Sequence, residues 1–263
     1  MSDFLLYEQD GPIVTLTMNQ PEVRNALTGN TAVAEFVAAC RRIEEDHTVC
    51  AVIITGAGSV FSSGGNVRDM QRHVGDAVEP AGLRHEYREG IQRMTLAVYN
   101  LEVPTIAAVN GPAVGAGFDL ACMCDIRIAA DTARFAESFV KLGIIPGDGG
   151  AWLLPRAIGM SRAAELTFTG DFIDAAQALE WGLVSRVVPG AELMAAAQGL
   201  AQRIAANSPP ALRMSKRLLR EGQHARLDTL LEMSAAFQAI AHRTREHRAA
   251  VESFVARSAA KKG

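Results

Sequence analysis

"VPTIAAVNGPAVGAGFDLACMCDIRIAA", residues 103–130, carries the pattern that decides the fold. An uninterrupted apolar run closes at Asn110-Gly111, glycines punctuate the next six residues, and an apolar helical stretch opens near Gly117. A continuous apolar run that ends at a turn is how a strand buried on both faces reads. "VCAVIITG" (49–56) repeats it upstream, and "LVSRVVPG" (183–190) gives a shorter version downstream. Strands of this kind separated by helices predict crossover units and a largely parallel α/β core.

The flanks fit that frame. "FLLYEQDGPIVTLTMN" (4–19) holds two apolar runs around Gln9-Asp10-Gly11-Pro12 and predicts an N-terminal hairpin. Val33, Phe36, Val37, Cys40 and Ile43 share one helical face, with Thr28 as the expected cap. Beyond about Ala191 only helical periodicity remains, in Leu227, Leu230, Leu231, Phe237 and Ile240, and again in Val251, Phe254 and Val255. Pro209 and Pro210 mark a break there. The expected division is a core over 1–200 and a helical region over 201–263, whose apolar stripe needs a surface of its own chain or of another subunit.

Composition excludes several classes. The chain has 263 residues, 49% hydrophobic and 21% charged, with a formal net charge of −3. No basic face speaks for nucleic acid, and no apolar run approaches a membrane span, so a cytoplasmic protein is expected. Cys40, Cys50, Cys122 and Cys124 lack a CxxC spacing and read as buried reduced thiols, with no metal.

The chemistry is expected at two glycine-rich loops, each following a buried strand: "ITGAGSVFSSGGNVRDM" (54–70) and the turn at 110–117. Backbone N–H groups left free at a helix start carry the positive end of the dipole and suit an anion or a developing oxyanion. Neither loop has the Gly-Lys-Ser/Thr of a P-loop, and "GPAVGAG" is a poor dinucleotide fingerprint, which argues against phosphotransfer and hydride transfer.

These two segments, with "LGIIPGDGGAWLLPRAIG" (142–159) and "ALEWGLVSRVVP" (178–189), resemble the enoyl-CoA hydratase/isomerase, or crotonase, family in order over essentially the whole chain. The resemblance implies a ClpP/crotonase-like spiral of ββα units whose C-terminal helices trimerise, as a homotrimer or a dimer of trimers. It implies an acyl-CoA thioester as substrate, with coenzyme A part of that substrate and no separate cofactor. Matched position by position, the oxyanion donors are the N–H groups of Gly65 and Ala116, with Gly115 beside the second. Ser62, Ser63, Gly64, Asn66 and Val67 would cradle coenzyme A. Arg24 matches a basic position near its pantetheine or phosphates; the alternative is a solvated arginine.

The family's hydratases hold a water between two glutamates. Asp119 matches the first, shortened by a methylene, and Phe139 matches the second, where a phenyl ring transfers no proton. Three acids stand nearby. Asp119 lies in the first turn of a helix, where the dipole favours its ionised form; it is a candidate base or a plain cap. Asp148 is one residue beyond the position where several family isomerases carry an aspartate. Glu137, two residues before Phe139, is a replacement only if the backbone shifts, and a solvent-facing side chain is the expectation. His85 and Tyr87 fall where the family has a mobile lid helix, and line the pocket or an exposed face. The leading reading is an enoyl-CoA hydratase-type lyase, the second an enoyl-CoA or dienoyl-CoA isomerase, and a third, of another class, an acyl-CoA-binding scaffold without turnover. RNA binding by the basic C-terminal segment is weaker; a phosphate contact from Lys261 or Lys262 explains those charges more simply.

Overall fold

The N-terminal hairpin opens the main sheet. In the computed structural model, which describes residues 3–74 and 79–260, β1 (Leu5–Asp10) and β2 (Ile13–Met18) pair antiparallel around Gly11, whose φ of 54° is in the left-handed region that favours glycine. Helix α1 (Ala32–Glu45) crosses to β3 (Ala51–Gly56), and α2 (Pro80–Glu89) and α3 (Ile91–Asn100) lead to β4 (Thr105–Val109). Then come β5 (Ala113–Val114), α4 (Ala116–Met123), β6 (Ile126–Ala130), β7 (Arg134–Ala136), α5 (Gly150–Ile158), α6 (Met160–Thr169), β8 (Phe172–Asp174), α7 (Ala175–Glu180) and β9 (Arg186–Val188). The chain finishes in α8 (Leu193–Ala205), α9 (Pro209–Glu221), α10 (Leu227–Ala241) and α11 (Arg245–Ala260).

The six-stranded sheet runs β1-β2-β3-β4-β6-β9 and is parallel from β2 onward. Both of its faces are covered, which is why β3 and β4 are buried along their whole length and apolar but for Thr55 and Thr105, whose hydroxyls find partners in the Ala108 carbonyl and the Asp125 carboxylate. Val52 and Ile54 point into a core with Phe36, Met94 and Phe118, while Ala51 and Ile53 meet Leu193, Ala197 and Ala201 of α8. Burial of each large aliphatic or aromatic side chain contributes about 1.5–3 kcal/mol. A smaller sheet, β5-β7-β8, stands beside it, and an isolated bridge from Ser62 to Ala113 ties the first glycine loop to its edge.

Two expectations of detail change. Helix α1 begins at Ala32 with Thr31 at its N-cap, not Thr28; Asn30 Oδ1 accepts the Ala32 N–H, and Thr28 Oγ1 instead accepts the Asn66 N–H at 2.9 Å. Lys261 and Lys262 lie outside the described residues. The four cysteines are free and buried.

Helix α9 is fastened to the core by ions. Asp125, just beyond α4, accepts from Lys216 Nζ at 2.7 Å and Arg220 at 2.6 Å, and from the Thr105 N–H and hydroxyl. Lys216 also donates to the Val103 carbonyl at 2.8 Å. Burial alone would raise the Asp125 carboxyl, but Lys216 and Arg220 together hold it below the usual range.

Candidate active site

Strands β3 and β4 are parallel neighbours, so the loops that follow them leave the sheet side by side. Asn25 clamps the first. It sits at φ 52°, a left-handed conformation that asparagine tolerates, and its buried Nδ2 donates to the carbonyls of Ala57, Val60 and Phe61 at 2.9–3.2 Å. The loops then abut: the Val114 N–H donates to the Ser62 carbonyl at 3.0 Å. A Cβ on Gly64 would lie 2.9 Å from the Ala116 nitrogen, and one on Gly117 would overlap the Ser62 carbonyl. Only glycine permits that approach at either position.

Among the described residues, the N–H groups of Gly65 and Ala116 donate to no protein acceptor, and both residues line one cavity of about 170 Å³. Ala116 opens α4, so its N–H lies at the positive end of that helix. Leu27, Val33, Ile91 and Ile144 supply apolar wall, and Phe139 stacks over the Cα of Gly115, where a Cβ would sit 3.5 Å from the ring. Gly65 also borders an outer groove of about 620 Å³, lined by Arg24, Ser63, Asn66 and Val67. One glycine thus borders both the inner chamber and the outer groove.

Not every residue singled out in the sequence reaches these spaces. Ser62 is fully buried and structural: its hydroxyl donates to the Asn25 carbonyl and accepts the Gly64 N–H. Gly64 is buried against the second loop, and its carbonyl accepts the Leu27 N–H. Tyr87 lines the chamber, whereas His85 is exposed on α2 and does not.

The acids divide sharply. Asp148 lines the chamber on the loop before α5; its carbonyl accepts from Thr95 Oγ1 at 2.8 Å, and burial pushes its carboxyl up to about 6. The other two carboxylates on the chamber wall, Asp69 and Glu86, are paired with Arg72. Asp119 lies behind the wall, 1% exposed, with Oδ2 accepting the Gly150 N–H at 3.0 Å. The dipole does not keep it acidic: burial and the neighbouring Glu137 raise it well above the usual range.

Glu137 overturns the solvent-facing expectation, since it is fully buried against Asp119. No alternation marked it: the strand ends at Ala136, which is itself buried, and Glu137 sits at the junction with a 3-10 turn over Ser138–Leu142, between the buried Phe135 and Phe139. Asn25 and Gly150 were also missed; their importance lies in contacts with segments distant in sequence.

The sequence pattern described as enoyl-CoA hydratase/isomerase matches residues 8–261. The chain is 34% identical over 261 residues to the 1,2-epoxyphenylacetyl-CoA isomerase of Escherichia coli (strain K12), covering 98% of this chain and 97% of that protein. It is 36% identical over 252 residues to the short-chain-enoyl-CoA hydratase of Clostridium acetobutylicum, covering 95% and 94%. Among solved structures, an enoyl-CoA hydratase from Bacillus anthracis superposes with a TM-score of 0.90 at 32% identity, covering 97% of both chains. An enoyl-CoA hydratase/isomerase from Cupriavidus metallidurans CH34 gives 0.90 at 30% identity, covering 97% of this chain and 94% of that one.

Proposed function

The chain belongs to the enoyl-CoA hydratase/isomerase family, and we propose that it acts on an unsaturated acyl-CoA thioester through an enolate whose proton is carried by Asp148. One observation carries this reading: Asp148 is the one carboxyl among the described residues that lines the chamber without a cation partner, and it shares that chamber with both free N–H groups.

The thioester carbonyl sits between the Gly65 and Ala116 N–H groups, which bind its oxygen more strongly as charge develops; one such donor is worth about 2.7–4 kcal/mol of barrier. The acyl part occupies the chamber and the coenzyme A arm leaves past Gly65 along the groove of Arg24, Ser63, Asn66 and Val67. Polarisation acidifies the C–H beside the carbonyl. Asp148, ionised above about pH 6, takes a proton and returns it at another carbon. One carboxyl suffices for that shift, so double-bond migration is the reaction that the geometry supports best.

Hydration is the second reading, favoured by Tyr87. Its ring lies beside Gly147, a Cβ there being 3.2 Å away, and its hydroxyl is raised by burial and by Asp148, so the two could hold a water at the β carbon. No cofactor beyond coenzyme A in the substrate enters either route. The exposed apolar residues Leu227, Leu231, Ile240, Phe254 and Val255 support a homotrimer or dimer of trimers. No described helix is long and apolar enough to cross a membrane, which fits work in the cytoplasm on the thioesters of fatty-acid metabolism.

The test supplies 3-enoyl-CoA and crotonyl-CoA to the wild type and to Asp148→Asn and Tyr87→Phe. The reading expects the conjugated enoyl band to grow with the first substrate and Asp148→Asn to lose that reaction. Loss of the band from crotonyl-CoA, sensitive to both substitutions, selects hydration. Tight thioester binding without turnover of either would contradict both.

A further inference from the structure

Glu137 presents a problem that the reaction above leaves unsolved. It follows β7, is 0% exposed, and neither of its carboxyl oxygens has a hydrogen-bond partner by geometry among the described residues. An ionised carboxylate so placed is heavily penalised and is normally neutralised. Its neighbour supplies the means. Asp119 Oδ2 is taken by the Gly150 N–H, which leaves Oδ1 free to accept. A Cβ built on Gly150 would overlap both Asp119 Oδ1 and Glu137 Oε1, so these two oxygens face each other across one point.

We propose that Glu137 is a positioning residue whose carboxyl shares a single proton with Asp119, thereby tying β7, α4 and the start of α5 together and holding the Asp148 loop against the chamber. The proton lies between Glu137 Oε1 and Asp119 Oδ1. With it, the contact is a hydrogen bond; without it, two anions meet in a buried site. The groups facing the pair are Asp148 before α5 and Cys122 of α4, whose thiol burial raises; Arg127 is felt at Cys122. Among the described residues, no cation compensates the pair itself. Gly150 is glycine here for space, since its φ is not in the left-handed region.

This inference rests on the proposed role of Asp148, but its test is separate from turnover. Infrared spectroscopy of the wild type at pH 7 should show a protonated-carboxyl stretch that is missing from Glu137→Gln, which still donates to Asp119. Because burial and Asp148 raise Glu137 above its unfolded value, its share of stability is full below the unfolded carboxyl pKa and is lost as pH rises through the folded one. The melting temperature of Glu137→Gln should therefore fall less than that of the wild type as pH rises above neutrality. Its kcat should stay near wild type, whereas Glu137→Ala, with no donor, should lose about tenfold in kcat with KM little changed, the kinetic equivalent of one hydrogen bond. An unchanged infrared spectrum and pH dependence in Glu137→Gln would overturn the proposal. So would a loss of kcat in Glu137→Gln as deep as in Glu137→Ala.

Discussion

An aspartate stands at each end of α4, Asp119 fully buried and Asp125 half-buried, and the molecule treats them in opposite ways. Asp125, past the C-terminal end, is met by Lys216, Arg220 and the Thr105 hydroxyl, and its carboxyl is held acidic. Asp119, in the first turn, meets Glu137 and a single backbone N–H, and its carboxyl is pushed up. Asp148 resembles Asp119 in lacking a cation, but it opens onto the chamber. The lesson concerns what a buried carboxylate is for. Where cations are supplied, the charge fastens one segment to another; where they are withheld, proton affinity rises toward the range in which a carboxyl exchanges protons near neutrality.

The largest break in this contrast should come from Asp148→Asn. Loss of a general base costs about 10²–10⁴-fold in rate. Steady-state kinetics should show that loss in kcat, and thermal melts should show a fold no less stable, since a raised carboxyl has been removed. Lys216→Ala should do the reverse. Asp125 would keep Arg220 and Thr105 but lose its buried partner, which should destabilise the protein by about 1–3 kcal/mol, read from urea unfolding, while the enzyme that remains folded keeps its pH optimum.

Gly150→Ala sharpens the contrast from within the acid cluster. Its methyl would displace Asp119 or Glu137 and should cost about 1–3 kcal/mol, the range for overpacking. Activity should fall with it, because α5 starts beside Asp148.

The two regions should also answer to pH in opposite directions. Asp125 contributes stability above its unfolded pKa that is lost as pH falls through the folded value. The raised acids contribute stability that is lost as pH rises. Melts over a pH series should therefore show a maximum on the acid side of neutrality, and kcat/KM should fall below about pH 6 as Asp148 protonates. The smallest effect belongs to the outer groove: Arg24→Ala should raise KM a fewfold with kcat unchanged, the mark of uniform binding.

Much of this was legible in the sequence, for physical reasons that vary along the chain. "VCAVIITG" and "PTIAAVNG" read correctly because a strand covered on both faces is apolar at nearly every position, and no local alternative competes. β5, β7 and β8 escaped because their two or three residues stand in no apolar run of strand length that closes at a glycine, the pattern that marked the equally short β9 in "LVSRVVPG". The glycines at 64 and 117 pointed to the place where the two loops meet, because that approach excludes side chains. Glu137 and Gly150 were not legible as a pair. They lie thirteen residues apart, and only the packing of β7 against the start of α5 brings one to the other.

The central claim, that Asp148 moves the substrate proton while Asp119 does not, is tested most directly by hydrogen exchange. Deuterium uptake at the α and γ carbons of an enoyl-CoA in D₂O, followed by NMR, should occur with the wild type and persist in Asp119→Asn. It should vanish in Asp148→Asn even though that variant still binds the thioester. Exchange at the wild-type rate in Asp148→Asn, with its loss in a folded Asp119→Asn, would contradict the account.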